Sequence, residues 1–153
     1  MKWITRERPK VDRMACPWLI ARFVDKEPQF IFAPADDVRA RAIELDAVPY
    51  DVDGVELTHD GPRCSFDAIL KKYALNDPAL GALAVIVRGA DTNRLDLAPQ
   101  SAGLLAISLG LSRCFKDDHE QLEHGFVIYD ALYAWLRGER GEKHGRHPSR
   151  LPP

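Results

Sequence analysis

The chain has 153 residues, 46% of them hydrophobic and 29% charged, with 21 Lys and Arg against 23 Asp and Glu. At about 100–200 residues per domain this is one domain, able to bury about two-thirds of its extended-chain surface without staples. Composition excludes a disordered or fibrous protein, and a net charge of −2 lacks the basic excess of a general nucleic-acid binder.

The three cysteines, Cys16, Cys64 and Cys114, form no CxxC pair, so neither a disulfide framework nor a zinc finger is expected, and a reducing cytoplasm is the expected compartment. The first ten residues carry charge without an apolar core, unlike a signal peptide. The longest apolar-rich stretch, 98–111, is too short to span a bilayer, so no membrane partner is expected. Arg outnumbers Lys 14 to 7, which suits forked recognition of carboxylates and oxyanions.

In chain order, Trp3, Ile4 and Thr5 alternate with charge as a short strand that Pro9 ends. Pro17 fits the first turn of a helix over 16–24, leaving Asp12 and Arg13 in its entry loop. QFIFA at 29–33 is a strand stopped by Pro34. Asp36 and Asp37 open a helix to about Leu45. Residues 48–52 are a further strand candidate, followed by a polar loop over 54–63. Ser65 caps a helix over 66–73, and Asp77-Pro78 opens one that runs to about Arg88. Residues 89–97 are expected as a loop, with Gly89 a positive-φ C-cap.

Pro99 opens a helix to Leu111 that is apolar all round and therefore expected to be buried. Asp117 or Asp118 caps the last helix, whose Leu122, Phe126, Tyr129, Tyr133 and Leu136 recur at 4, 3, 4 and 3 as one core face. Gly138 ends it, and the tail over 138–153 is Gly, Pro, Arg and His with little to bury. The class is α+β, predominantly helical, with about five helices and a small two- or three-stranded sheet; one domain spans 1–137.

The blocks VDRMACPWLIARFVD, GVELTHDGPRCSFDAIL, IVRGADTNRLDLAPQSAGLLAISLGLSR and DDHEQLEHGFVIYDALYAWLR resemble the C-terminal domain of ChrB-type chromate resistance proteins. They follow one another in order and extend over about residues 2–137. The resemblance implies a role in chromate resistance, with a small oxyanion such as chromate as partner and a stress-response setting. Some family members are regulators of a chromate efflux operon, and others carry this domain beside a sulfurtransferase-like domain. Longer members have an additional N-terminal domain expected to hold DNA or a partner. This chain starts at the shared domain, so DNA binding is not expected of it alone.

Several residue sets could carry chemistry. Glu56 and His59 lie three apart in the polar loop; His119 and Glu123 lie four apart, on one helix face. Two His and two carboxylates suit Zn, Fe or Mn, so these four are the candidate metal ligands, unless they are loop and surface polars. Asp12, Arg13 and Cys16 precede or open a helix. A helix N-terminus favours anions and would lower a thiol pKa, which makes Cys16 a candidate catalytic thiol; the alternative is a small buried residue.

Arg63-Cys64-Ser65 repeats that theme at the next helix start. With Arg13, Arg63 and Arg88 as candidate oxyanion binders, a tetrahedral dianion is the expected ligand. Asp91, in the charged segment after Arg88, is a candidate base or metal ligand. Dinucleotide, P-loop and nucleophile-elbow signatures are missing. SAGLLAISLGLSR looks superficially like a helix–turn–helix, but its apolar circumference belongs in a core. The expected activity is chromate sensing or handling in a polar Arg/His/acid pocket, or alternatively a metal-dependent enzyme, or a DNA-binding regulator. Oligomeric state is open.

Overall fold

A computed structural model describes residues 1–139. Its element order is β1 (Lys2–Arg6), α1 (Asp12–Leu19), β2 (Gln29–Ala33), α2 (Val38–Leu45), β3 (Val48–Pro49), α3 (Ser65–Lys72), α4 (Pro78–Asp91), α5 (Ser101–Cys114) and α6 (Asp118–Ala134). The class is α+β and predominantly helical. Residues 140–153 of the expected tail, with His144 and His147, lie outside the described residues.

The three strands are all parallel in the order β2-β1-β3. β1 pairs along its length with β2, from Lys2 opposite Gln29 to Arg6 opposite Ala33, and at Trp3 and Ile4 with β3. Parallel neighbours need crossovers, which α1 and α2 supply. Alternation along β1 sends Trp3 into the main core with α1, α3, α4 and α6, and Ile4 into a second cluster with Ala33, Val38 and Ala42. The central strand is thus buried on both faces.

Several boundaries differ from the sequence expectation. α1 starts at Asp12 rather than Cys16, because Val11 turns the chain at φ 31° and ψ −96°. Pro17 therefore sits inside the helix, where it removes a backbone hydrogen bond, and the helix widens into a π-helical turn over Ile20–Val24. β3 is two residues long because Asp51 adopts φ 52°. Cys64, not Ser65, is the N-cap of α3, with the Asp67 carboxylate accepting from its N–H at 3.1 Å.

α4 opens at Asp77-Pro78 as expected but runs on to Asp91. Gly89 lies within it, and a Cβ there would meet Ser101 Oγ at 2.2 Å; it permits close α4–α5 packing rather than a C-cap. α5 is not buried all round: Ile107 is 45% and Leu109 40% exposed. The last helix passes into a π-helical turn, Trp135–Glu139, that includes Gly138.

The connection from β1 to α1 is held from far along the chain. The Arg8 guanidinium donates to the Lys116 carbonyl at 2.8 Å, the Phe115 carbonyl at 3.1 Å and the Ser112 carbonyl, and its backbone N–H donates to Asp118 at 3.0 Å. Gln121 Nε2 donates to the Pro9 carbonyl at 2.6 Å and the Tyr129 hydroxyl to that of Val11 at 3.1 Å.

Candidate metal centre

Two strand ends and two helix ends converge on one patch. Asp12 is the first residue of α1, after β1; Asp51 follows β3; Asp91 ends α4; and Ser65 begins α3. Across them lies His59, from the loop between β3 and α3. Its Nε2 is 3.0 Å from Asp91 Oδ2, 3.5 Å from Asp51 Oδ1 and 3.8 Å from Asp12 Oδ2. Among the described residues, Asp12, His59 and Asp91 are the one group of three His, Cys, Asp or Glu whose ligand atoms all lie within 4.8 Å of one another.

Asp12 is fully buried. Its Oδ2 accepts the Ser65 backbone N–H at 2.6 Å, whereas its Oδ1 is buried without a hydrogen-bond partner. An unpaired buried carboxylate oxygen is costly. Asp51 is better served: Ser65 Oγ donates to it at 2.7 Å, Arg6 Nη2 at 3.0 Å and Arg13 Nη1 at 3.5 Å.

The electrostatics follow these partners. Burial, then the charges of Asp91 and Asp51, push the Asp12 pKa well above the ordinary carboxylate value. Burial and the Asp51 charge raise that of Asp91. Burial pushes Asp51 up too, but His59, Ser65, Arg13 and Arg6 outweigh it, and its pKa ends below the ordinary value. His59 is held up to about 9, first by its contact with Asp51 and then by the charges of Asp12 and Asp91. Asp51 has two arginines, and Asp12 and Asp91 have the imidazolium as their nearest cation.

Two carboxylates and one imidazole are a donor set suited to Zn, Mn or Fe. The unpaired Asp12 oxygen fits a bound divalent cation. His59 keeps a side-chain exposure of 41%, so the site is reachable from solvent and leaves coordination positions to a second ligand.

The structure gathers only part of the residue sets expected from sequence. His59 and Asp91 come together, whereas the Glu56, His59, His119 and Glu123 set does not assemble. Glu56 is exposed and paired with Lys72 at 2.7 Å, His119 and Phe32 pack as a T-shaped ring pair with centroids 5.3 Å apart, and Glu123 is exposed on α6.

The arginines do not converge on a shared anion either. Arg88 is forked onto Asp67 at 2.9 and 2.6 Å. Arg13 is engaged by Asp51 and the Arg8 carbonyl. Arg63 lines a separate cleft of about 650 Å³ with Cys64 and Lys71. Cys16 is the fifth residue of α1 and fully buried, so burial and Asp12 push its thiol pKa well up rather than down. Burial raises Cys64 as well.

Asp12 and Asp51 were not among the expected ligands. Their signal lay in Asp51 interrupting the apolar run over 48–52 and in Asp12 standing in the segment between the first strand and its helix. Ser65, expected only as a cap, orients both: its N–H holds Asp12 and its hydroxyl holds Asp51.

Comparison with known proteins adds family and extent. Residues 3–136 match the family profile described as "ChrB, C-terminal domain". "Protein ChrB" of Cupriavidus metallidurans is 32% identical over 140 residues, covering 91% of this chain and 42% of that protein. The chain thus spans less than half the length of that curated relative. No solved structure matches. Among the described residues no helix is long and apolar enough to cross a membrane.

Proposed function

Because the chain belongs to the ChrB C-terminal domain family, whose sequence blocks it carries, we propose that it serves chromate resistance as a metal-centred domain. Asp12, His59 and Asp91 hold a divalent cation, and Asp51 and Ser65 orient them. The observation that carries this reading is the buried, unpaired Asp12 oxygen within the group of three potential ligands.

The position supports the same reading. Open parallel sheets bind ligands outside the carboxyl ends of their strands, where the strand order reverses. Asp12 and Asp51 follow the carboxyl ends of β1 and β3, neighbours in the order β2-β1-β3. A bound cation supplies Lewis-acid charge, and with it the attraction for an oxyanion such as chromate that three carboxylates alone lack. The residues of the chain contribute positioning: Ser65 fixes two carboxylates, and the Arg6 and Arg13 charges keep Asp51 ionised.

Elemental analysis of the purified protein, beside Asp12→Asn, His59→Ala, Asp91→Asn and His119→Ala, tests this. Near-stoichiometric Zn, Mn or Fe that the first three substitutions remove and His119→Ala retains is the expected result. Metal-free wild-type protein that takes up none of these ions on dialysis would overturn it.

A further inference from the structure

Beside the candidate metal centre, also at the carboxyl ends of β1 and β3, lies a cleft of about 420 Å³ lined by Arg6, Asp36, Arg39, Val52, Asp53 and Gly54 among others. We propose that this cleft is a subsite for a monoprotonated tetrahedral oxyanion, gripped by Arg6 and Arg39 and read by Asp36 and Asp53. The proposal deepens the reading above, on which it rests for the choice of oxyanion, by saying where the protein itself contacts the anion.

Arg6 ends β1. Its Nε donates to the Asp51 carbonyl at 3.2 Å and its Nη2 to the Asp51 carboxylate at 3.0 Å. That anchors the guanidinium plane and leaves Nη1 without a hydrogen-bond partner among the described residues. Arg39, on the first turn of α2, makes no ion pair among the described residues. Its Nη1 lies against Gly54, where an added Cβ would come within 3.2 Å, and Gly54 has φ 79°. Glycine thus serves two needs at that position: it takes the left-handed turn and leaves room for the guanidinium.

Two guanidinium groups with N–H to spare can fork onto the oxygens of a tetrahedral anion. The two carboxylates of the lining decide which anion. A fully deprotonated dianion turns only lone pairs towards Asp36 and Asp53 and is repelled. A monoprotonated oxyanion donates its O–H to a carboxylate and turns that repulsion into a charge-assisted hydrogen bond. Hydrogen chromate and hydrogen phosphate carry such a proton near neutral pH, and sulfate does not. The cleft therefore discriminates by the proton on the ligand, using the unpaired-group penalty that separates near-isosteric ligands elsewhere.

Equilibrium dialysis with chromate, run at pH 6 and pH 8 with sulfate as competitor, tests this on the full chain. Chromate is expected to bind more tightly at pH 6, with sulfate at least tenfold weaker. Arg39→Gln should weaken chromate about tenfold or more, leaving metal content and thermal midpoint unchanged, since Arg39 is exposed. Asp36→Asn with Asp53→Asn should erase the preference over sulfate. Equal binding of sulfate and chromate by the wild type, or chromate binding indifferent to Arg39→Gln, would overturn the subsite. Loss of metal in Asp12→Asn bears on the metal centre alone, so the two readings fail separately.

Discussion

Replacing Asp12 by Asn separates a ligand from a structural carboxylate. The substitution is close to isosteric. The amide oxygen can still accept the Ser65 N–H that Asp12 Oδ2 accepts at 2.6 Å, and the amide nitrogen takes the place of the unpaired Oδ1. Removing the charge relieves its burial and its repulsion by Asp91 and Asp51. The metal-free variant is therefore expected to melt at the wild-type temperature or above it at pH 7.

With metal the order reverses. A ligand at 100 times its Kd stabilises by about 2.7 kcal/mol, which for a domain of this size raises the midpoint by about 5–10 °C. Loss of even an outer-shell partner costs 10–100-fold in affinity. If Asp12→Asn loses about 100-fold, the same metal concentration equals its Kd and stabilises by about 0.4 kcal/mol, or about 1 °C. Thermal scans with and without Mn or Zn measure both effects. An equal metal-induced rise in both proteins, or a metal-free variant that melts several degrees lower, would refute the ligand role.

Three further outcomes follow from the described packing. His59 is held up to about 9, above its unfolded value of about 6.5, so its stabilising charge is fully present below about pH 6.5 and lost as pH rises through about 9. The side chain is 41% exposed, so screening leaves an expected decline of about 1 kcal/mol in metal-free protein; denaturant titrations at pH 6 and pH 9.5 that agree would contradict it. Gly89→Ala brings a Cβ to 2.2 Å from Ser101 Oγ and 2.9 Å from the Arg94 carbonyl, an overpacking expected to cost about 1–3 kcal/mol, read as a lower urea midpoint. Ile107→Glu, on the 45%-exposed side of α5, should change stability by less than about 0.5 kcal/mol; a large loss by calorimetry would mean that this face is covered.

The sequence was most informative where local chemistry acts alone. β1 and β2 are short β-branched and aromatic runs followed by prolines, and Asp77-Pro78 places the start of α4. It was least informative where a distant contact overrides a local rule. Pro17 argues for a helix start near Cys16, yet Val11 takes a left-handed φ, rare for a β-branched residue, and starts α1 four residues earlier. α5 is apolar enough for a core, but neighbours cover only part of its circumference. At the site, the i, i+4 spacing of His119 and Glu123 guarantees a shared face and nothing beyond it. The Asp12 and Asp51 carboxylates meet because β1 and β3 are parallel neighbours, and strand order is not written in either segment.

The hold on residues 8–11 has a kinetic consequence. Every residue of the metal centre lies at or before Asp91, yet the turn that presents Asp12 is fastened by Ser112, Phe115, Lys116, Asp118, Gln121 and Tyr129, contacts that close loops of 104 to 118 residues. Closures of that length are entropically late. During synthesis all the ligands will have left the ribosome before the clasp that sets their spacing exists. Metal capture should therefore coincide with the docking of α6, which makes loading of the ion a report that the chain has finished folding.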